Sequence, residues 1–327
     1  PPWFARQKGY SVENFTILLK KYADFKIKTL GKWYPTAVRT GIDRKYKKYI
    51  SNYGQSYGEW AEPTEVHITG FKDFACPHPE ETTAYIVYML QTMAEIAEVL
   101  GKAEDQKHFS EYAEKAKIGY GKLIECPKFS LDTDRQAKLV RPLYMGLLDE
   151  KQTEFAKKRL ITALEHYDWR LGTGFLSTPF ILYVLEDIDV EYAYRLLENE
   201  QMPGWLFMPK MNANTIWESW EGTQAQGGIA SLDHYSKGAV LEWVVSEMCG
   251  IQVSGENEFK IAPKVGGHFM FAKCEYQSVY GKIKSGWERR NGKAVYTISV
   301  PANTTAKVIL PDGEKTLTAG EYEFTVD

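Results

Sequence analysis

The stretch Asn214-Thr-Ile-Trp-Glu-Ser-Trp-Glu-Gly222 sets two indole rings, Trp217 and Trp220, around Glu218, with Glu221 directly after. Flat aromatic faces stack on the C–H surfaces of sugars, and carboxylates do the proton work of glycosidic cleavage. The same residues also suit a helix end that holds a buried aromatic pair and two solvated glutamates. On a helix, the i, i+3 spacing of Glu218 and Glu221 would leave their Cβ atoms about 5–6 Å apart. That distance admits a retaining pair, whose carboxyls lie roughly 5–5.5 Å apart, against roughly 6.5–9.5 Å for an inverting pair. Neighbours on one turn line one wall, however, whereas the two groups must flank the scissile bond. An i, i+3 retaining pair is therefore disfavoured.

Upstream of this stretch the chain reads as successive helices. Ser11 to Leu30 carries Phe15, Leu18, Leu19, Tyr22 and Phe25 at helical spacing, with Gly31 as a stop. Residues 51–79 are rich in Gly, Pro, Ser and Thr and read as loop, the kind of segment that carries sites on a rigid scaffold. Ile86, Met89, Leu90, Met93, Ile96, Ala97 and Leu100 form an apolar stripe closed by Gly101. Phe109, Tyr112, Ala113, Ala116, Tyr120 and Leu123 form the next. Thr133-Asp-Arg-Gln136 has capping-box spacing and opens a third helix; a fourth spans Lys151 to His166. Short helices follow between Thr178 and Asn199, and Ser231 to Gly250 reads as a last, long helix. Near Ile251 the texture changes to period-two runs, Lys293 to Val300 and Ala306 to Leu310, with turns at Asn291-Gly292 and Pro311-Asp-Gly313. The expected organisation is a helical domain over 1–250 and an antiparallel β-sandwich over 251–327.

Composition narrows the classes. The 327 residues carry a net charge of −3, without a basic block longer than Arg44-Lys-Tyr-Lys-Lys48, which gives no support for nucleic-acid or membrane-surface binding. No apolar run approaches the roughly 20 residues that cross a bilayer. Four cysteines, Cys76, Cys126, Cys249 and Cys274, are widely spaced and suggest neither zinc nor a disulfide framework. The six histidines, at 67, 78, 108, 166, 234 and 268, show no metal spacing, and no nucleotide or serine-hydrolase motif is present. Neither metal nor cofactor is expected. The first residues, Pro-Pro-Trp, have no initiating Met and no signal peptide, so the compartment is unreadable.

Several segments together resemble bacterial α-L-rhamnosidases of glycoside hydrolase family 78. Thr215 to Trp220 matches the family's "TTIWERW", and Ser231-Leu-Asp-His-Tyr-Ser-Lys-Gly-Ala-Val-Leu-Glu-Trp243 matches "NHYAFGAVGEW". Tyr57-Gly-Glu-Trp60 matches "YGDW", with Glu59 in place of Asp. Gly172-Thr-Gly-Phe175 and Met202-Pro-Gly-Trp205 follow in the family's order. Tyr280 to Trp287 and Val300 to Ala306 resemble its closing β-domain.

The resemblance implies a mainly α fold, part of an (α/α)6 barrel, followed by a C-terminal antiparallel β-sandwich. It implies inverting hydrolysis of terminal α-L-rhamnosyl linkages, on a rhamnose-containing glycoside or polysaccharide. Glu218 is then the general base, and His234 reaches the substrate beside it. Trp60 packs on the rhamnose ring near its C6 methyl, with Glu59 beside it. Trp217, Trp220 and Glu221 adjoin the base. Trp169 and Trp205 either line the cleft or seal the barrel. From the residues alone, Trp60 also reads as a loop anchor and His234 as a core histidine bonded to backbone. Asp233 reads equally as a helix N-cap, and Trp243 as core. The family's acidic segment bearing the general acid has no counterpart here, and family spacing places it before Pro1. The expected partner is therefore the missing N-terminal part of the same polypeptide. Rivals are a non-catalytic sugar-binding remnant, and an α/α-barrel hydrolase for another deoxy or uronic sugar.

Overall fold

The computed structural model of the chain describes residues 12–68, 70–224 and 230–326, and side chains other than those of 12–15 and 224. The chain divides into two compact units. Unit one is Pro1–Asp168 with Gly172–Ser177, and unit two is Trp169–Leu171 with Thr178–Asp327.

Unit one is helical. Its elements are α1 (Val12–Thr29), α2 (Arg44–Lys47), α3 (Phe71–Ala75), α4 (Pro79–Val99), α5 (Ala103–Ile124), α6 (Gln136–Tyr144) and α7 (Glu150–His166). The stripes read from the sequence supply the core: Ile86, Leu90, Met93 and Ala97 of α4 are buried, as are Phe109, Ala113, Ala116, Tyr120 and Leu123 of α5. Pro79 sits in the first turn of α4, where its missing N–H costs nothing. Gly101 ends it in the left-handed conformation, as the Lys102 N–H reaches back to Ala97 O. On α1 the outcome differs. Ala23 and Ile27 are buried, but Leu18, Tyr22 and Phe25 are exposed. The expected start at Ser11 and the side chain of Phe15 lie outside the described residues.

The capping box expected at Thr133 does not form. Helix α6 starts at Gln136 after an Arg135 cap with no side-chain bond. The Gln136 amide oxygen accepts the Gly172 N–H at 2.7 Å instead of reaching back, and Thr133 Oγ1 accepts from Arg135 N–H in a local turn. The real box lies at α7, where Asp149 and Gln152 cap reciprocally.

Unit two holds α8 (Ile181–Glu186), α9 (Val190–Leu197), α10 (Phe207–Lys210) and α11 (Val240–Trp243), then eight strands. The long helix expected from Ser231 to Gly250 is corrected by the structure. A 3-10 turn, Ser236–Ala239, leads into α11, and a π-helical turn, Val244–Met248, ends it. Residues 231–234 cannot be helical, because their backbone pairs with residues 215–218.

The strands are β1 (Ile251–Val253), β2 (Glu258–Ile261), β3 (Phe271–Ser278), β4 (Gly281–Arg290), β5 (Lys293–Val300), β6 (Thr305–Leu310), β7 (Gly313–Leu317) and β8 (Gly320–Val326). They form two four-stranded sheets, ordered β1-β2-β6-β7 and β3-β4-β5-β8. All pairings are antiparallel except β2 with β6, which run parallel, Phe259 opposite Ala306. Ala306, Val308 and Leu310 point into the core while Lys307 and Ile309 point out, the alternation the sequence shows.

Candidate functional site

Two groups of residues, one in each unit, carry the chemistry singled out in the sequence. In unit two, the stretch around Glu218 is not a helix but a run of bends, which removes the i, i+3 helical distance between Glu218 and Glu221. It runs beside residues 231–234. The Glu218 N–H donates to Ser231 O at 2.9 Å, the His234 N–H to Ile216 O at 2.8 Å, and Thr215 Oγ1 to Leu232 O. The Ser231 N–H in turn donates to the Glu218 carboxylate at 3.1 Å. Glu218 and His234 are thus fixed on adjacent backbone segments, both half-buried. The His234 ring stacks on Tyr235 at 5.1 Å and its Nδ1 accepts from Ser236 N–H at 3.3 Å.

Behind this ladder lies an aromatic wall. Trp205 meets Trp220 edge-on at 6.0 Å, and Phe207 meets Trp217 at 6.3 Å. The Lys237 ammonium lies 4.2 Å from the Trp220 ring centroid, a cation–π contact in a site without solvent. Trp205 Nε1 donates to Lys237 O at 3.0 Å. Gly222 lies flat on Trp217: a Cβ there would come within 1.9 Å of the ring, and its φ of +51° also favours glycine. Trp205, Trp217 and Trp220 are all buried, the arrangement of the buried aromatic pair for Trp217 and Trp220 and of the sealing alternative for Trp205. Their faces are taken by protein. Trp169 is also buried, between Tyr192 at 5.3 Å and the Arg195 guanidinium at 4.1 Å, so of its two readings it takes the sealing one. Glu221 is half-buried and adjoins this wall.

In unit one, Glu59 is buried too. The sequence reading put it beside the sugar, but its side chain is buried and fully engaged. Arg141 Nη1 donates to Oε2 at 2.6 Å, Ser177 Oγ to Oε2 at 2.8 Å, and the Gly174 and Ser177 N–H groups to Oε1 at 2.9 and 2.8 Å. Arg141 Nη2 donates onward to Glu80 at 3.1 Å. The Phe175 N–H reaches Trp60 O at 2.8 Å, and a Cβ on Gly174 would meet that same oxygen at 2.2 Å. The motifs 57–60 and 172–175 are therefore two halves of one lock, and Trp60 is the ring it holds at the surface, half-buried. Beside it Arg135 forks onto Glu62.

Arg141 and Lys237 were not singled out in the sequence. Arg141 left a signal, a cation inside the apolar run Leu139-Val-Arg-Pro-Leu143. Lys237 left none beyond standing where the resembling segment has Phe. Among the described residues no group of three His, Cys, Asp or Glu side chains is placed to hold a metal ion. No helix among them is long and apolar enough to cross a membrane.

Residues 20–248 match the bacterial alpha-L-rhamnosidase 6-hairpin glycosidase domain, and residues 252–325 match the bacterial alpha-L-rhamnosidase C-terminal domain. An alpha-L-rhamnosidase of Streptomyces avermitilis is 31% identical over 275 residues, 82% of this chain and 26% of that protein. One from Formosa agariphila is 31% identical over 301 residues, 85% of this chain and 32% of that protein. The chain therefore spans about a quarter to a third of these relatives. Among solved structures, the Streptomyces avermitilis alpha-L-rhamnosidase complexed with L-rhamnose aligns with a TM-score of 0.73 at 26% identity, over 95% of this chain and 31% of that one. The Dictyoglumus thermophilum alpha-L-rhamnosidase aligns at 0.77 and 23% identity, over 96% and 37%, which is a likeness of fold.

Proposed function

The chain belongs to the bacterial α-L-rhamnosidase family, and on that premise we propose that it carries the general base of an inverting glycosidase for terminal α-L-rhamnosyl linkages. Glu218 takes the proton from a water that attacks the anomeric carbon as the bond to the leaving oxygen breaks, and a separate carboxylic acid protonates that oxygen. Glu59 is not that acid, because Arg141, Ser177 and Gly174 occupy both of its oxygens. His234 hydrogen-bonds a sugar hydroxyl beside the base, and Trp60 packs against the C6 methyl of rhamnose. The substrate is a rhamnose-containing glycoside or polysaccharide. A solved relative that holds L-rhamnose supports this choice of sugar. Residues 1–250 supply these groups, and 251–327 form the adjoining β-domain.

The observation that carries the reading is the backbone ladder between residues 215–218 and 231–234, since it holds Glu218 and His234 on neighbouring strands of chain. The test uses Glu218→Gln. In the active protein kcat on an aryl α-L-rhamnoside should fall by at least roughly 10²-fold, the lower range for general base catalysis. Rhamnose binding, measured by calorimetry, should survive. Proton NMR of the wild-type reaction should show β-rhamnose as the first-formed anomer. Near-normal turnover by the variant removes Glu218 from the mechanism.

A further inference from the structure

We propose that a cavity in unit one, between the end of α1 and helix α2, binds a pyranose bearing a carboxylate or sulfate, one residue of an acidic saccharide. Only the choice of a saccharide rests on the proposed function; the cavity and its charge stand on unit one alone. The cavity measures about 550 Å³, within the roughly 300–1,000 Å³ usual for small-molecule sites. Lys32, Arg39 and Lys47 stand round it, with Trp33, Ile50 and Asn52 also in its lining. Among the described residues no Asp or Glu lines it.

The three cations have no acidic partner among the described residues. Elsewhere in unit one the pattern is the reverse: Lys20 pairs with Asp105, Lys115 with Glu111, Lys122 with Glu125 and Arg135 with Glu62. The acid nearest in sequence, Asp43, caps α2 by accepting the Lys45 N–H at 3.0 Å and lies 3.8 Å from the Lys45 ammonium. Three positive side chains about one cavity, with no counter-charge in its walls, raise the local concentration of anions. The Arg39 guanidinium can grip two oxygens of a carboxylate or sulfate at once.

The walls are fixed before any ligand enters. Asn52 clamps Val38: its Oδ1 accepts the Val38 N–H at 3.0 Å and its Nδ2 donates to Val38 O at 2.7 Å. The Gly31 N–H donates to Ile50 O at 3.0 Å. Gly31 has a φ of +71°, and a Cβ there would meet Lys48 Cα at 2.5 Å, so this approach requires glycine. Ile50 is buried in the core cluster with Ile42, Leu123 and Phe129. Such a cavity gives up little conformational freedom on binding.

Trp33 is 78% exposed and has no ring contact among the described residues, so its face is open to stack on the C–H surface of a sugar. One ring and three cations about a bounded cavity suit a single charged sugar unit. A nucleic-acid strand needs a basic groove that tracks its backbone and several stacking rings, and this chain, at net charge −3, has no long basic block.

The experiment is a calorimetric titration of the chain with a galacturonic acid trimer, a sulfated galactose trimer and the unmodified galactose trimer. The acidic trimers should bind roughly 10-fold tighter than the neutral one, the sum of three solvent-exposed ion pairs. Tighter binding of either acidic trimer supports the site, and their order tells carboxylate from sulfate. Raising the ionic strength from roughly 0.05 to 0.5 M should remove most of the preference. Replacing Lys32, Arg39 and Lys47 together by Gln should abolish it while affinity for the neutral trimer, the control for folding, stays unchanged. Trp33→Ala should weaken all three trimers by roughly 3- to 10-fold, since stacking does not read charge. Equal affinities for acidic and neutral trimers, or a preference that survives the triple substitution, overturns the proposal. So does a DNA strand of equal charge that binds as tightly as the acidic trimers. Glu218→Gln separates the two readings. If it leaves turnover intact while the acidic trimers bind, the proposed function falls and this site stands; if turnover depends on Glu218 and no acidic trimer binds, the site alone falls.

Discussion

Four glutamates and two arginines meet inside unit one, and their burial governs the response to pH. Glu59, Glu80 and Glu81 surround Arg141, while Glu62 pairs with Arg135. Burial pushes the Glu62 carboxyl up from 4.5 to about 7 against the pull of Arg135, with Glu59 and Glu81 adding to the rise. Burial raises Glu81 as well. A carboxyl whose folded value lies above its unfolded one holds its proton more tightly in the folded state. That stabilisation is full below about 4.5 and is lost as pH climbs to about 7. Urea unfolding should accordingly show lower stability at pH 7.5 than at pH 5, and Glu62→Gln should flatten the difference. An unchanged slope in that variant would assign the pH response to other groups. The sequence displayed Glu59 inside a sugar-binding motif but not its partner Arg141, 82 positions away, so the motif was legible and the role of its carboxylate was not.

At the scale of elements, glycines mark where segments distant in sequence press together. Gly174 faces Trp60 O with no room for a methyl, so Gly174→Ala should force the 57–60 and 172–175 loops apart. A cost of roughly 1–3 kcal/mol is expected from such overpacking. Gly121, in the interior of α5, meets nothing within 4 Å, and Gly121→Ala should instead stabilise by roughly 0.4–1 kcal/mol through helix propensity and a less flexible unfolded chain. Chemical denaturation of the two variants checks the opposite signs. Periodicity revealed α4 and α5, since their apolar stripes follow from local spacing. It misread the helix expected from Ser231, where the backbone is claimed by a ladder to residues 215–218 that no local pattern records. The parallel β2–β6 pairing was hidden for the same reason, because strand direction depends on a partner over forty residues away.

Across the whole of unit two, the change of texture at residue 250 is bridged by side chains. Lys264 pairs with Glu186 and, at 3.1 Å, with Glu247; Trp243 Nε1 donates to Glu186 at 2.7 Å. Trp287 Nε1 reaches back to Met248 O at 2.8 Å, and Tyr194 OH donates to Lys264 O. Trp287→Phe removes one such link from a fully buried site, at a cost of roughly 1–3 kcal/mol for the carbonyl left without its donor and a further cost for the cavity. Amide hydrogen exchange should then quicken in α8 and α9 as well as in the strands. Quickening confined to the strands would mean that the β-domain opens by itself. Glu59 lies far from its partners too, since 118 residues separate it from Ser177. At roughly 5–20 residues per second of synthesis, about 6–24 s pass between the appearance of that carboxylate and of the hydroxyl that donates to it. Through that interval Glu59 has neither Ser177 nor Gly174, so the nascent helices wait on the ribosome with their polar centre open to water until the segment that closes it emerges.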